Sequence, residues 1–323
     1  MIDIINKLAN NPPKKDEYRV EEILESLNYF LGLDSEKNIC FFIKSKKDPN
    51  KDYNPSSRRL TYIDIIFENR FELKLSSKFI KEDYTLIKLK TDNSLYIDIF
   101  LSFCQDLIKS EGDPPLFQNI IDRTEALIKI FSKKKSKPTK TEIGLWGELF
   151  LISKSKDKDL AIKSWHINNN DQFDFIDGES IIEVKTTTNN LRVHSFRHEQ
   201  IVSLIRYEGI LCSVKTKITT GGESVQGLSK RISDNIQMDI RQMFWEKLLD
   251  CTENPEDFTN KFDTNIADIS LSFYDSSKLP HIKSEDIPNG VEKVKYEINI
   301  ENLEKTDKHN TLSSNVLDSQ NSL

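Results

Sequence analysis

The sequence predicts a mixed α/β (α+β) protein, with a central mixed sheet flanked by helices and a mostly β module in front of it. Three observations carry this. Residues 39–89 hold short runs rich in β-branched and aromatic side chains, and two of them, 71–75 and 84–89, alternate apolar with polar as half-buried strands do. After a basic stretch at 133–140 the pattern becomes helix, strand, strand, helix, strand, helix. Between the first two of those strands stands Asp177-Gly178, a strong tight-turn signal.

The elements are expected in this order. Residues 18–33 carry Val20, Ile23, Leu24 and Leu27 at helical spacing and predict a short leading helix. Strands follow at 39–43, 60–67, 71–75 and 84–89, with a loop over 48–57. Helices at 95–110 and 116–131 flank Asp113-Pro114-Pro115, where proline suits a helix start. The basic, proline-containing stretch 133–140 marks a domain boundary, read equally well as a solvated linker or a phosphate contact. The domains are therefore 1–132, 133–303 and a polar, disordered tail at 304–323. In the second domain a helix at 141–153, capped by Thr139 or Thr141, precedes strands at 173–176 and 181–187. A helix at 198–206, a strand at 209–219, a flexible loop at 220–223, one or two helices over 228–249, and late strands at 267–274 and 291–300 complete it.

Composition limits the function classes. The chain has 323 residues, 30% of them charged, with a net charge of −6. That excludes a histone-like polycation, yet a basic groove on an acidic body still attracts phosphates. The cysteines, Cys40, Cys104, Cys212 and Cys251, form no CxxC pair, so neither a zinc knuckle nor a redox motif is indicated. No signal peptide and no bilayer-length apolar run is seen, so a soluble, cytoplasmic protein without a membrane partner is expected. The Gly221-Gly222 pair has no following GKS or GKT and is no P-loop.

The chemistry concentrates in Phe173-Asp174-Phe175 and Glu183-Val184-Lys185. On a strand, Glu183 and Lys185 share one face and Val184 points the other way. Two charged groups on an otherwise apolar strand must be paired, bind a metal or face a cleft, because unpaired burial is costly. Asp174 lies across the tight turn, beside Glu183 or slightly offset from it. Two carboxylates at that range repel, and a divalent cation such as Mg²⁺ is their natural partner. Lys185 beside them would position a water or stabilise charge on a phosphate, a combination suited to phosphodiester hydrolysis.

These residues resemble the D…(D/E)XK signature of the PD-(D/E)XK nucleases, whose core is the restriction endonuclease-like fold. The block from GLWGELFLI through FDF and EVKTTT to RVHSF resembles a bacterial family of PD-(D/E)XK motif proteins that accompanies restriction and phage-defence genes. The resemblance covers residues 141–206 well, and Phe173 replaces the proline that names the motif. It implies a Mg²⁺-dependent DNA endonuclease, with Mn²⁺ as a substitute ion. Asp174, Glu183 and Glu148, the last on the preceding helix, would hold the metal, and Lys185 would complete the catalytic set. It also implies that Arg192, His194, Ser195 and Gln200 lie near the substrate; on a strand Arg192 and His194 would share a face. DNA, other subunits of a restriction or defence system, and a second copy of the chain are the partners implied. Gly144 and Gly147 on a helix interior predict close approach of that helix to the sheet. Trp146 reads as helix core, and His166 and His281 as structural or exposed. The competing reading is a DNA-binding or scaffolding subunit that keeps the fold without cutting, and cleavage of RNA stays open.

Overall fold

The computed structural model describes residues 1–23, 26–47, 55–132, 140–166, 172–178, 180–252 and 257–306. The loop expected at 48–57 lies outside these except for its last three residues, as do Leu24, the side chain of Leu27, the basic stretch short of Lys140, and the tail from 307 onward. The chain divides into two compact units, Met1–Ser136 and Lys137–Leu323.

The first unit is a mostly β body. Helix α1 (Ile2–Ala9) buries Ile5 and Leu8. Strands β1 (Tyr18–Ile23), β2 (Ser26–Leu33), β3 (Ile39–Ile43), β4 (Arg58–Arg59), β5 (Ile63–Lys74) and β6 (Phe79–Leu89) form one sheet in the order β1-β2-β3-β6-β5-β4. A parallel pairing of β1 with β5 closes five of them into a ring, which removes two open edges. One side buries Val20, Phe30, Cys40, Phe42, Phe71, Leu73, Tyr84 and Leu86 together.

The helix expected over 18–33 is instead the β1–β2 hairpin. The spacing of Val20 and Ile23 suits a helix, but both also fall on buried positions of β1. Tyr18, Tyr29 and Phe30 favour a pleated surface, and pairing with neighbours overrides local spacing. Gly32 lets β2 lie against Arg19 and Val20, where a Cβ would overlap the β1 backbone. The two strands expected at 60–67 and 71–75 are one strand, β5, irregular in register between Ile66 and Asn69. Helices α2 (Ser94–Ser110) and α3 (Phe117–Ser132) follow; the Asn93 side chain caps α2 by accepting from the N–H groups of Leu95 and Tyr96.

The second unit carries the site. Helix α4 (Glu142–Lys154) starts at Thr141, whose hydroxyl accepts from Gly144 N–H. Next come α5 (Lys158–Ser164), β7 (Phe175–Asp177), β8 (Ser180–Thr187), β9 (Val193–Arg197), α6 (His198–Arg206) and β10 (Ile210–Lys215). After these lie β11 (Ile218–Ser224), α7 (Val225–Ser233), α8 (Met238–Asp250), β12 (Lys261–Phe262), α9 (Thr264–Ser270), β13 (Ser272–Asp275) and β14 (Lys295–Asn299). The central sheet runs β13-β10-β8-β7, with β8 and β10 parallel and the outer pairs antiparallel. It is the mixed sheet with flanking helices that the sequence predicts. β9 pairs with β14, and β11 with β12, outside it.

The tight turn falls where expected: Gly178 has φ +59°, and Asp177 pairs with Ser180. Residues 220–223 are no loop but part of β11. Gly222 lies so close to the Phe262 backbone that a Cβ would overlap it, so the glycine serves strand approach. The strand expected from 267 begins only at Ser272. Asp263 accepts from Asn265 and Ile266 N–H and starts α9 instead, a cap that strand-like spacing conceals. Among the described residues no helix is long and apolar enough to cross a membrane.

Candidate metal and catalytic site

Lys140, α4, the Trp165–His166 turn, the β7 entry, β8 and α6 build the site. Helix α4 is apolar all round and buried, and Glu148 is an acidic residue on it that is only 2% exposed. The helix lies directly on β8 because Gly147 has no side chain; a Cβ there would overlap the Thr186 hydroxyl. That contact fulfils the expectation for Gly147. Gly144 instead sits in the capped first turn, against Thr141.

Asp174 stands just before β7, buried. Its Oδ2 accepts from Val184 N–H at 2.8 Å, which fixes the carboxylate against the middle of the Glu183-Val184-Lys185 segment. Its backbone carbonyl accepts from His166 N–H at 3.0 Å. His166 has φ +40°, a left-handed conformation that a residue with a Cβ rarely adopts. The turn aims the imidazole at Glu148, with Nε2 2.8 Å from Oε2. Trp165 Nε1–H donates to the same Oε2 at 2.9 Å.

Lys140 closes this group. Its ammonium donates to Glu148 Oε1 and to Asp174 Oδ1. Burial alone would hold the amine below its usual range, but the two carboxylates outweigh it and raise it. For Asp174, burial pushes upward, and Lys140, His166 and Lys185 together hold it below the ordinary carboxylate range. An ammonium thus sits where a cation would neutralise two buried carboxylates.

Glu183 and Lys185 form an adjoining group. Lys185 Nζ donates to Glu183 Oε1 at 2.6 Å and lies 5.0 Å from the centre of the Phe196 ring. Gln200, from α6, donates to the same Oε1 at 2.7 Å, and its own oxygen is 3.4 Å from Lys185 Nζ. Glu183 Oε2 is buried and has no hydrogen-bond partner. Burial, then the nearby Asp174 charge, pushes the Glu183 carboxyl up to about 7 despite Lys185. A buried carboxylate oxygen with nothing to accept from is a group short of a positive partner.

The residues expected from the sequence therefore come together unevenly. Glu148 and Asp174 share Lys140; Glu183 and Lys185 adjoin them through the Val184 N–H; Gln200 ties Glu183 to Lys185. Among the described residues, the group whose ligand atoms all lie within 4.8 Å of one another is Glu148, His166 and Asp174, with Glu183 beside it and not in it. Arg192 and His194 do share a face, as alternation predicts, but their polar atoms are engaged inside the protein. The buried Arg192 guanidinium donates to Ser213 O and Oγ, to the Ser270 carbonyl and to Ser272 Oγ. His194 Nε2 lies 2.8 Å from the same Ser213 Oγ. Ser195 is half-buried on the opposite face of β9. Sequence reasoning missed His166 and Lys140: His166 belongs to no HxxxH or Cys/His spacing, and Lys140 closes a basic stretch that reads as linker.

The donor set fits a divalent cation. It offers buried carboxylates, an imidazole, an orphaned carboxylate oxygen and a lysine already acting as counter-cation. The family described as "Putative PD-(D/E)XK family member (DUF4420)" matches residues 5–301. No curated protein and no solved structure matches the chain.

Proposed function

The chain belongs to this PD-(D/E)XK family, and from that premise we propose that it is a metal-dependent endonuclease hydrolysing DNA phosphodiester bonds, serving restriction or phage defence. The observation that supports it most is the convergence of Glu148, Asp174 and the Glu183–Lys185 pair from α4, the β7 entry and β8. Glu148, Asp174 and Glu183 would hold a divalent ion, Mg²⁺ or Mn²⁺. Such an ion lowers the pKa of a bound water and polarises a phosphate oxygen. Lys185 is held by Glu183 and Gln200 over an aromatic face, with one side still open to solvent. From there its N–H groups reach a phosphate oxygen and stabilise charge as it develops. Gln200 orients Lys185 and Glu183. Arg192 and His194 support β9 and β10 beneath the substrate, and Ser195 stays a candidate contact.

One observation favours a second reading. Lys140 satisfies Glu148 and Asp174 without any metal, as a non-cleaving DNA-binding or scaffolding subunit would permit. Plasmid DNA incubated with the protein and Mg²⁺ or Mn²⁺, beside Glu183→Ala and Lys185→Ala, separates the two. Cleavage by the unaltered protein alone supports the nuclease. Binding without cleavage in either metal supports the scaffold.

A further inference from the structure

The proposed nuclease reading leaves the choice of ion open, and the residue that decides it is one the signature does not contain. We infer that His166 is a ligand of the cation position between Glu148 and Asp174, and that its nitrogen makes the site select a first-row transition ion of the Mn²⁺ kind over Mg²⁺. The inference rests on the reading that this cluster holds a metal.

Three features place the imidazole for that role. The ligand atoms of Glu148, His166 and Asp174 all lie within 4.8 Å of one another, close enough to share one ion. The histidine is held there by its backbone: φ is +40°, and its N–H donates to the Asp174 carbonyl, so imidazole and carboxylate move together. Strained backbone of this kind persists where the surrounding structure over-determines it, and it clusters at functional sites. Trp165 Nε1–H on Glu148 Oε2 is the sort of outer contact that orients a ligating carboxylate. The Lys140 ammonium between Glu148 and Asp174 marks the place where these carboxylates draw positive charge, and an ion ligated by His166 would have to displace it.

The selectivity follows from donor chemistry. Mg²⁺ takes oxygen ligands in near-ideal octahedral geometry and gives up its waters reluctantly. Imidazole nitrogen suits softer divalent ions, whose affinity for a given nitrogen and oxygen site rises along the first row from Mn²⁺. Nε2 faces Glu148 Oε2 at 2.8 Å as a hydrogen-bond donor, and an ion bound between the carboxylates would take the place of that hydrogen on the ring nitrogen. A site of carboxylates alone has no such preference built in.

The test is metal binding to the full chain, read by calorimetry with Mn²⁺ alone and Mg²⁺ alone, and by electron spin-echo modulation of bound Mn²⁺. The variants are His166→Asn, because asparagine tolerates left-handed backbone, and His166→Gly, which also tolerates it, both checked for folding by circular dichroism. The expected result is a nitrogen modulation in the unaltered protein that disappears in both variants. Mn²⁺ affinity falls by about tenfold or more, the scale on which partners of a metal site act, and Mg²⁺ affinity changes little. Mn²⁺ bound without nitrogen modulation, or with affinity dependent on Asp174 (tested as Asp174→Asn) and indifferent to His166, overturns the inference and leaves the metal site standing. No binding of either ion, or Mn²⁺ binding unmoved by Asp174→Asn, overturns the metal reading and this inference together.

Discussion

Two buried polar clusters lie in the second unit, and they are built differently. Around Arg192, the buried guanidinium has acceptors in Ser213, Ser270 and Ser272, and His194 shares Ser213. Around Asp174, three carboxylates face two lysines: Glu183 Oε2 accepts from nothing, and the compensating ammonium groups of Lys140 and Lys185 each keep a side open to solvent. A satisfied buried network rigidifies a fold. A buried network left short of positive charge is costly to the fold and serves chemistry. The first cluster should therefore report on stability alone, and the second on metal, turnover and a stability that a bound ion can supply.

The largest expected effect is on Lys140. Lys140→Met leaves two buried carboxylates without their cation, and the metal-free protein should lose about 3–5 kcal/mol of stability, as when one partner of a buried pair is removed. Millimolar Mn²⁺ should restore much of it, read by urea unfolding with and without the ion. If stability is unchanged, Lys140 is not the counter-cation. Next is Lys185→Ala, where loss of one charge-stabilising donor should slow cleavage by about 10²–10³-fold. Lys185 also pairs with the buried Glu183, so the metal-free protein should lose stability as well, and the cleavage defect should persist where Mn²⁺ restores that stability; intact cleavage would reverse the assignment.

Arg192→Ala should do the opposite, removing about 2–3 kcal/mol of stability by stranding charge-assisted hydrogen bonds, while Mn²⁺ affinity stays at its original value. Weaker metal binding without loss of stability would merge the two clusters into one. The effect that is smallest at neutral pH is that of His194, which enters through pH dependence. Burial, then Lys185 and Arg192, pushes His194 down from 6.5 to about 3, so it stays neutral in the fold. The unfolded chain takes up a proton below about 6.5, so this contribution is intact above that pH and is lost as pH falls toward 3. The slope is at most about 1.4 kcal/mol per pH unit. His194→Gln should flatten that part of the stability curve; an unchanged curve contradicts a neutral buried His194.

What the sequence disclosed follows the range of the forces involved. The Asp177-Gly178 turn, the shared face of Glu183 and Lys185, and the shared face of Arg192 and His194 are set by neighbours a few residues apart, so alternation and turn chemistry expose them. Gly147 betrayed the approach of α4 to β8 because a missing side chain is visible in sequence. The hairpin at 18–33 was hidden because the three-residue spacing of Val20 and Ile23 is helical, and β1 buries both only through a register shift between Glu22 and Ile23 that no spacing rule discloses. His166 and Lys140 were hidden for another reason. His166 reaches Glu148 18 residues away, and Lys140 reaches Glu148 and Asp174 at separations of 8 and 34; α4, α5 and the β7 entry bring them together, and neither alternation nor helical spacing records such contacts. The engagement of Arg192 was equally invisible, since its acceptors come from β10, the end of α9 and the start of β13.

The most direct test is a crystal structure of the protein soaked in Mn²⁺, read by anomalous scattering. The expected result is one strong peak touching Glu148 and Asp174, with the Lys140 ammonium displaced from both carboxylates. Density showing Lys140 still bridging them at saturating Mn²⁺, with no ion alongside, would contradict a metal centre at this position.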